Sequence, residues 1–136
     1  MKPYFYEGIL EKECYKQLQL INKDQNIESF IQIKAQYREH PKSENILLFD
    51  LHIRDLTRTD QSEKVVSVRI SPKGYSYRVS HHYHGSSQAT PYYPGKEGVP
   101  LHSVEEALSR AAQALFYFYQ LHDDKSQWVP AKEYKD

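Results

Sequence analysis

"KVVSVRISPKGYSYRVSHHYH", residues 64–84, alternates apolar and polar side chains, breaks the alternation once at "SPKG", and resumes it. In an extended chain successive side chains point to opposite faces, so Val66, Val68 and Ile70 share one face while Val65, Ser67 and Arg69 share the other. Gly74 closes a four-residue connection and is free to take positive φ, which predicts a hairpin. On the returning strand, 75–84, Tyr75, Tyr77, Val79, His81 and Tyr83 have the parity of the core, and Arg78, His82 and His84 have the opposite one.

That parity weakens a metal reading of the three histidines. His82 and His84 can approach one ion but His81 points away, and no Cys, Asp or Glu stands beside the pair to complete the three or four ligands zinc requires. His52 has the right parity, yet in a simple meander it lies two strands over, about 9.6 Å away. A histidine metal site therefore ranks third among the readings, and no metal or cofactor is expected.

Upstream, residues 46–56, "ILLFDLHIRDL", put Leu47, Phe49, Leu51 and Ile53 on one face and Leu48, Asp50, His52 and Arg54 on the other. Residues 27–38 alternate in the same way, with Ile27, Ile31, Ile33, Ala35 and Tyr37 opposed to Phe30, Gln32, Lys34, Gln36 and Arg38. Before them, Leu10, Cys14, Leu18 and Ile21 recur at helical spacing over 7–23. Downstream, a long loop at 85–101, rich in Gly, Pro and Ser, leads to Ser103 and Glu106, which fit a capping box at a helix start. Leu108, Ala111, Ala112, Leu115, Phe116 and Tyr119 give that helix a broad apolar face, and it is expected to run to about Leu121. In the tail, 123–136, Trp128 is expected to anchor the chain to the body. The expected fold is a single α+β domain over 1–136: two layers, with a four-stranded antiparallel meander sheet packed against an N-terminal and a C-terminal helix.

The chain of 136 residues is long enough for one core, and its 39% apolar and 13% aromatic content is that of a folded domain. With 18 basic and 18 acidic side chains, any electropositive patch must arise by segregation. The single cysteine, Cys14, cannot form an internal disulfide and reads as a buried structural residue. No apolar run approaches the roughly 18 residues needed to span a bilayer. These features lead to the expectation of a cytoplasmic protein that does not engage membranes.

Because alternation is strict, the face opposite the core is fixed once the core face is known. It collects Lys34, Arg38, Arg54, Arg69, Arg78, His82 and His84, the side-chain chemistry that single-stranded nucleic acid or another polyanion requires. Four strands followed by a helix resemble the architecture of Whirly-type single-strand-binding domains. No catalytic signature is present, so a non-enzymatic binding protein is expected. The alternative is a protein-interaction module or an inhibitor of phage or plasmid type. It would act through Tyr92 and Tyr93 of "PYYP" and through Phe116 and Tyr119 of the last helix, whose apolar breadth also allows a homodimer.

Overall fold

The alternating segments become strands. The computed structural model describes residues 4–59, 61–95, 97–132 and Tyr134, so Lys96 of the long loop and three residues of the tail lie outside it. Helix α1, Tyr4–Ile21, leads through a single 3-10 turn, Ile27–Ser29, into β1, Ile31–Glu39, and β2, Leu47–Asp55. Then follow β3, Lys64–Ser71, β4, Gly74–Val79, β5, His81–His84, α2, Val104–Phe116, and β6, Gln127–Pro130. Strands β1 to β4 lie in sequence order in one antiparallel sheet, and β5 pairs with β6 in a second.

The expected parity is the observed one. Ile33 pairs with Ile53 and Ala35 with Leu51, which in turn faces Val66, and Phe49 pairs with Val68, which faces Tyr77. All are buried under the helices, α1 over β1 and α2 over β3 and β4; the two helices also pack on each other, and Leu10, Cys14, Leu18, Ala111, Ala112 and Leu115 belong to the same core. Burying each large aliphatic or aromatic side chain is worth about 1.5–3 kcal/mol. A slip of one residue would turn this whole set to water, so the register is tightly specified.

Both edges of the meander are covered. Along β1, the backbone N–H of Tyr37 donates to Glu7 Oε1 at 2.6 Å, that of Ala35 to Glu11 Oε1 at 2.7 Å, and that of Ile33 to Tyr15 Oη at 3.0 Å. The spacing explains the match: four residues of helix rise about 6 Å, and two residues of strand advance about 6.8 Å. Side chains of α1 thus replace a neighbouring strand, and the edge offers no ready template for another chain. Along β4 the long loop does the same with backbone groups: Gly98 N–H donates to Tyr77 O at 2.8 Å and Leu101 N–H to Tyr75 O at 2.6 Å.

Several boundaries differ from expectation. The first strand begins at Ile31, because Ile27 belongs to the 3-10 turn and Phe30 caps it. The expected continuous strand 75–84 is cut at Ser80. There Ser80 N–H donates to Val65 O at 2.8 Å and its Oγ accepts from Val65 N–H at 2.8 Å, which closes the ladder with β3. Its carbonyl turns to accept from Ala131 N–H at 2.8 Å, and the next residues pair with the tail. The tail is therefore a strand, β6, and Trp128 packs at 5.0 Å from the Tyr83 ring and 6.2 Å from that of Tyr119. Helix α2 starts as expected, with Ser103 Oγ accepting from Glu106 N–H at 3.0 Å, although the Glu106 carboxylate returns to His102 N–H rather than to Ser103. It stops at Phe116, short of Leu121, because the chain must turn back towards β5: His122 adopts φ 67° and Arg58 clamps Ser126, its Nη1 lying 2.6 Å from Oγ.

Candidate nucleic-acid interface

The face of the meander away from the helices is built by cross-strand rows. One runs Lys34, His52, Val65; the next Gln36, Asp50, Ser67, Arg78; the third Arg38, Leu48, Arg69, Ser76. Five cations, Lys34, Arg38, Arg54, Arg69 and Arg78, share this face with Asp50 and Glu63. A chain of zero formal charge has segregated its charge.

Two of the arginines are spoken for. Arg38 grips Asp50 through Nε at 2.8 Å and Nη2 at 3.3 Å. Arg54 Nη2 meets Glu63 Oε1 at 3.3 Å while Glu63 Oε2 meets His52 Nδ1 at 3.1 Å, and Arg54 Nε is buried without a hydrogen-bond partner among the described residues. A one-nitrogen, solvent-exposed ion pair of this kind contributes little and yields readily to a competing anion. Among the described residues no carboxylate lies within ion-pair distance of Lys34, Arg69 or Arg78. Arg69 and Arg78 are diagonal neighbours on adjacent strands, because Arg69 faces Ser76 and Ser67 faces Arg78. Such diagonals place Cβ atoms about 7–8 Å apart. Between Arg38 and Arg69 sits Leu48, only 2% exposed despite its outward parity, as expected where long arginine stems flank an apolar residue.

At the β4 end this face runs into a cleft of about 390 Å³ lined by Arg78, His82, Tyr93, Glu97, Val129 and Lys132 among others. The loop that covers the β4 edge builds one wall. Glu97 Oε1 accepts from Val79 N–H at 2.8 Å and Oε2 lies 3.5 Å from His82 Nε2, so the edge hydrogen bond orients the carboxylate. Tyr93 is 64% exposed, its ring 4.8 Å from that of His82. The Arg78 guanidinium lies over Gly98, which has φ +75° and would bring a Cβ to 3.1 Å from it.

The sequence-derived set is therefore divided. Lys34, Arg38, Arg54, Arg69 and Arg78 share the open sheet face as expected. His82 and His84 belong to the second sheet: His82 borders the cleft, and His84 Nε2 is 2.9 Å from Gln88 O. Phe30 is not on the open face but packs edge-on to His122 at 5.9 Å. Of the aromatic contact set, Phe116 and Tyr119 are 1% exposed core residues with no surface to offer a partner. Tyr119 instead donates its hydroxyl to Asp55. The outward aromatics are their neighbours Tyr117 and Phe118, which meet Tyr92 at 5.6 and 4.9 Å. Glu97 and Lys132 escaped the sequence reading because neither sits in a periodic segment; only the cover of the β4 edge and the β5–β6 pairing bring them to the cleft. Among the described residues no group of three or more His, Cys, Asp or Glu stands where it could hold a metal ion, and no helix is long and apolar enough to cross a membrane.

Fold and face together define a class: a two-layer α+β domain with one sheet face left uncovered and enriched in cations. Comparison with family models, with curated proteins and with solved structures finds no match, and five strands rather than four precede α2, with a sixth after it, so the order of elements departs from the one that resembled Whirly-type domains.

Proposed function

We propose that the protein is a non-enzymatic, cytoplasmic binding protein whose open sheet face engages single-stranded nucleic acid. The observation that carries this reading is the diagonal pair Arg69 and Arg78, both without a carboxylate partner among the described residues, leading into a cleft walled by exposed Tyr93. Guanidinium groups meet phosphates and a free aromatic face stacks on a base, whichever base it is. Lys34 extends the cationic track to β1, and Arg38 and Arg54 border it in their ion pairs. An open four-stranded face admits a flexible strand more readily than a rigid duplex, whose sequence is read by an element inserted in a groove.

The test is fluorescence anisotropy of labelled single-stranded DNA and RNA with the purified chain at low salt. Binding that weakens with salt supports the reading, since each phosphate contact releases counterions. Absence of binding to both at low salt removes it.

A second reading has its own observation. Tyr117 is 58% and Phe118 46% exposed, and with Tyr92 they form a continuous aromatic patch. Aromatic clusters of this kind serve as contact anchors between proteins. A second copy of this chain is the simplest partner, and sedimentation equilibrium of the wild type beside a Tyr117→Ser/Phe118→Ser variant tests it. A concentration-dependent dimer lost in the variant supports this reading; a monomer at every concentration counts against it.

A further inference from the structure

The cleft at the β4 end holds one group that a site for phosphate alone would exclude. A carboxylate repels phosphate, yet Glu97 lines the same cleft as Arg78 and Lys132 and is held in place by the Val79 N–H at 2.8 Å. With Oε1 accepting that bond, the carboxylate still has lone pairs on both oxygens. Its other near neighbour, His82 Nε2, is at 3.5 Å, too long to occupy Oε2 fully. A fixed, acceptor-only group beside an exposed aromatic ring is equipped to recognise a planar ligand through neighbouring N–H donors.

We propose that this cleft is a nucleobase subsite that selects guanine, with the base stacked on Tyr93 and its N1–H and 2-amino groups donating to the Glu97 carboxylate. The inference rests on the single-strand reading above and deepens it by naming the base. Guanine is the one standard base that presents two adjacent donors on its pairing edge. Adenine and cytosine set a single amine beside a ring acceptor, which a carboxylate opposes, and thymine flanks its one N–H with two carbonyls. The volume of about 390 Å³ lies at the small end of the range for small-molecule pockets, about 300–1,000 Å³, and suits one nucleotide. Val129, Pro130 and Ala131 contribute apolar lining, and Arg78 and Lys132, which line the same cleft, supply cations for the flanking phosphates.

The experiment uses the full chain and fluorescein-labelled oligothymidylates of about ten nucleotides, unmodified or carrying one central deoxyguanosine, deoxyinosine or deoxyadenosine. The guanine probe is expected to bind about tenfold more tightly than the adenine probe, the scale of one bidentate base contact. Inosine, which keeps N1–H and lacks the 2-amino group, falls between them. Adenine controls for stacking on Tyr93. Glu97→Gln retains an acceptor for Val79 N–H but turns an amide donor towards the base, and is expected to bring the guanine and adenine probes to equal affinity. Equal binding of guanine and adenine probes by the native chain, or a guanine preference that survives Glu97→Gln, overturns the inference and leaves the single-strand reading standing. If neither these probes nor their ribonucleotide counterparts bind at low salt, both are overturned.

Discussion

The carboxylate of Glu11 accepts the backbone N–H of Ala35 at 2.7 Å, across 24 residues of sequence, and so does in one side chain what a neighbouring strand would do. With Glu7 and Tyr15 it closes the β1 edge, which would otherwise expose a row of donors. Removing the acceptor by Glu11→Ala is expected to cost about 1–2 kcal/mol, the range for stranding a partly buried donor. Glu11→Gln, which keeps an acceptor oxygen, costs less. Urea unfolding measures the difference, and native-state hydrogen exchange at Ala35 locates it; unchanged protection there would show that the edge is not held by this contact.

Tyr77 gives the fold an alkaline limit. Burial pushes its phenol from the ordinary 10 up to about 12, with Glu97 and Tyr92 acting in the same direction and Arg110 against them. The folded state holds the proton more tightly than the unfolded chain does. The contribution is thus complete below pH 10 and is lost as pH rises through about 12. Burial raises Tyr83 and Tyr119 in the same sense. The urea midpoint is expected to fall over that interval, and to fall less steeply in Tyr77→Phe; a flat midpoint would refute the assignment.

Gly98 couples the loop to the site. At φ +75° a side chain strains the backbone, and its Cβ would meet the Arg78 guanidinium at 3.1 Å. Gly98→Ala is expected to lose about 1–2 kcal/mol of stability, the cost of a left-handed conformation for a residue with a Cβ. Because the guanidinium is also displaced, oligonucleotide affinity should drop at a salt and temperature where the variant remains folded. Anisotropy alongside thermal melting separates the two effects, and an affinity equal to wild type would show that the loop does not position Arg78.

The sheet was legible because alternation in Ile31 to Tyr37, Leu47 to Ile53 and Val66 to Val79 encodes facing directly. The same alternation sets Arg69 and Arg78 together on the open face. What it could not convey was pairing. Nothing in "RVSHHYH" distinguishes one long strand from two, because Ser80 ends the ladder through its contacts with Val65 and Ala131, which are distant in sequence. Likewise Glu7, Glu11 and Tyr15 read as an ordinary helix face until α1 lies along β1. Apolar periodicity carried the helix prediction past Phe116, since Tyr119 is buried; it is buried from the turn that follows the helix rather than from the helix itself.

On the proposed reading, Arg69 and Arg78 hold a polyanionic strand on the open face. The most direct test is the anisotropy titration of a labelled oligothymidylate with wild type and with Arg69→Glu/Arg78→Glu, each over a series of salt concentrations. For the wild type, with about three phosphate contacts, the account predicts a slope of log K against log salt of about −2. For the reversed pair it predicts the loss of most of both the affinity and the slope, with the melting transition retained. Equal affinity and equal slope in the two proteins would contradict it.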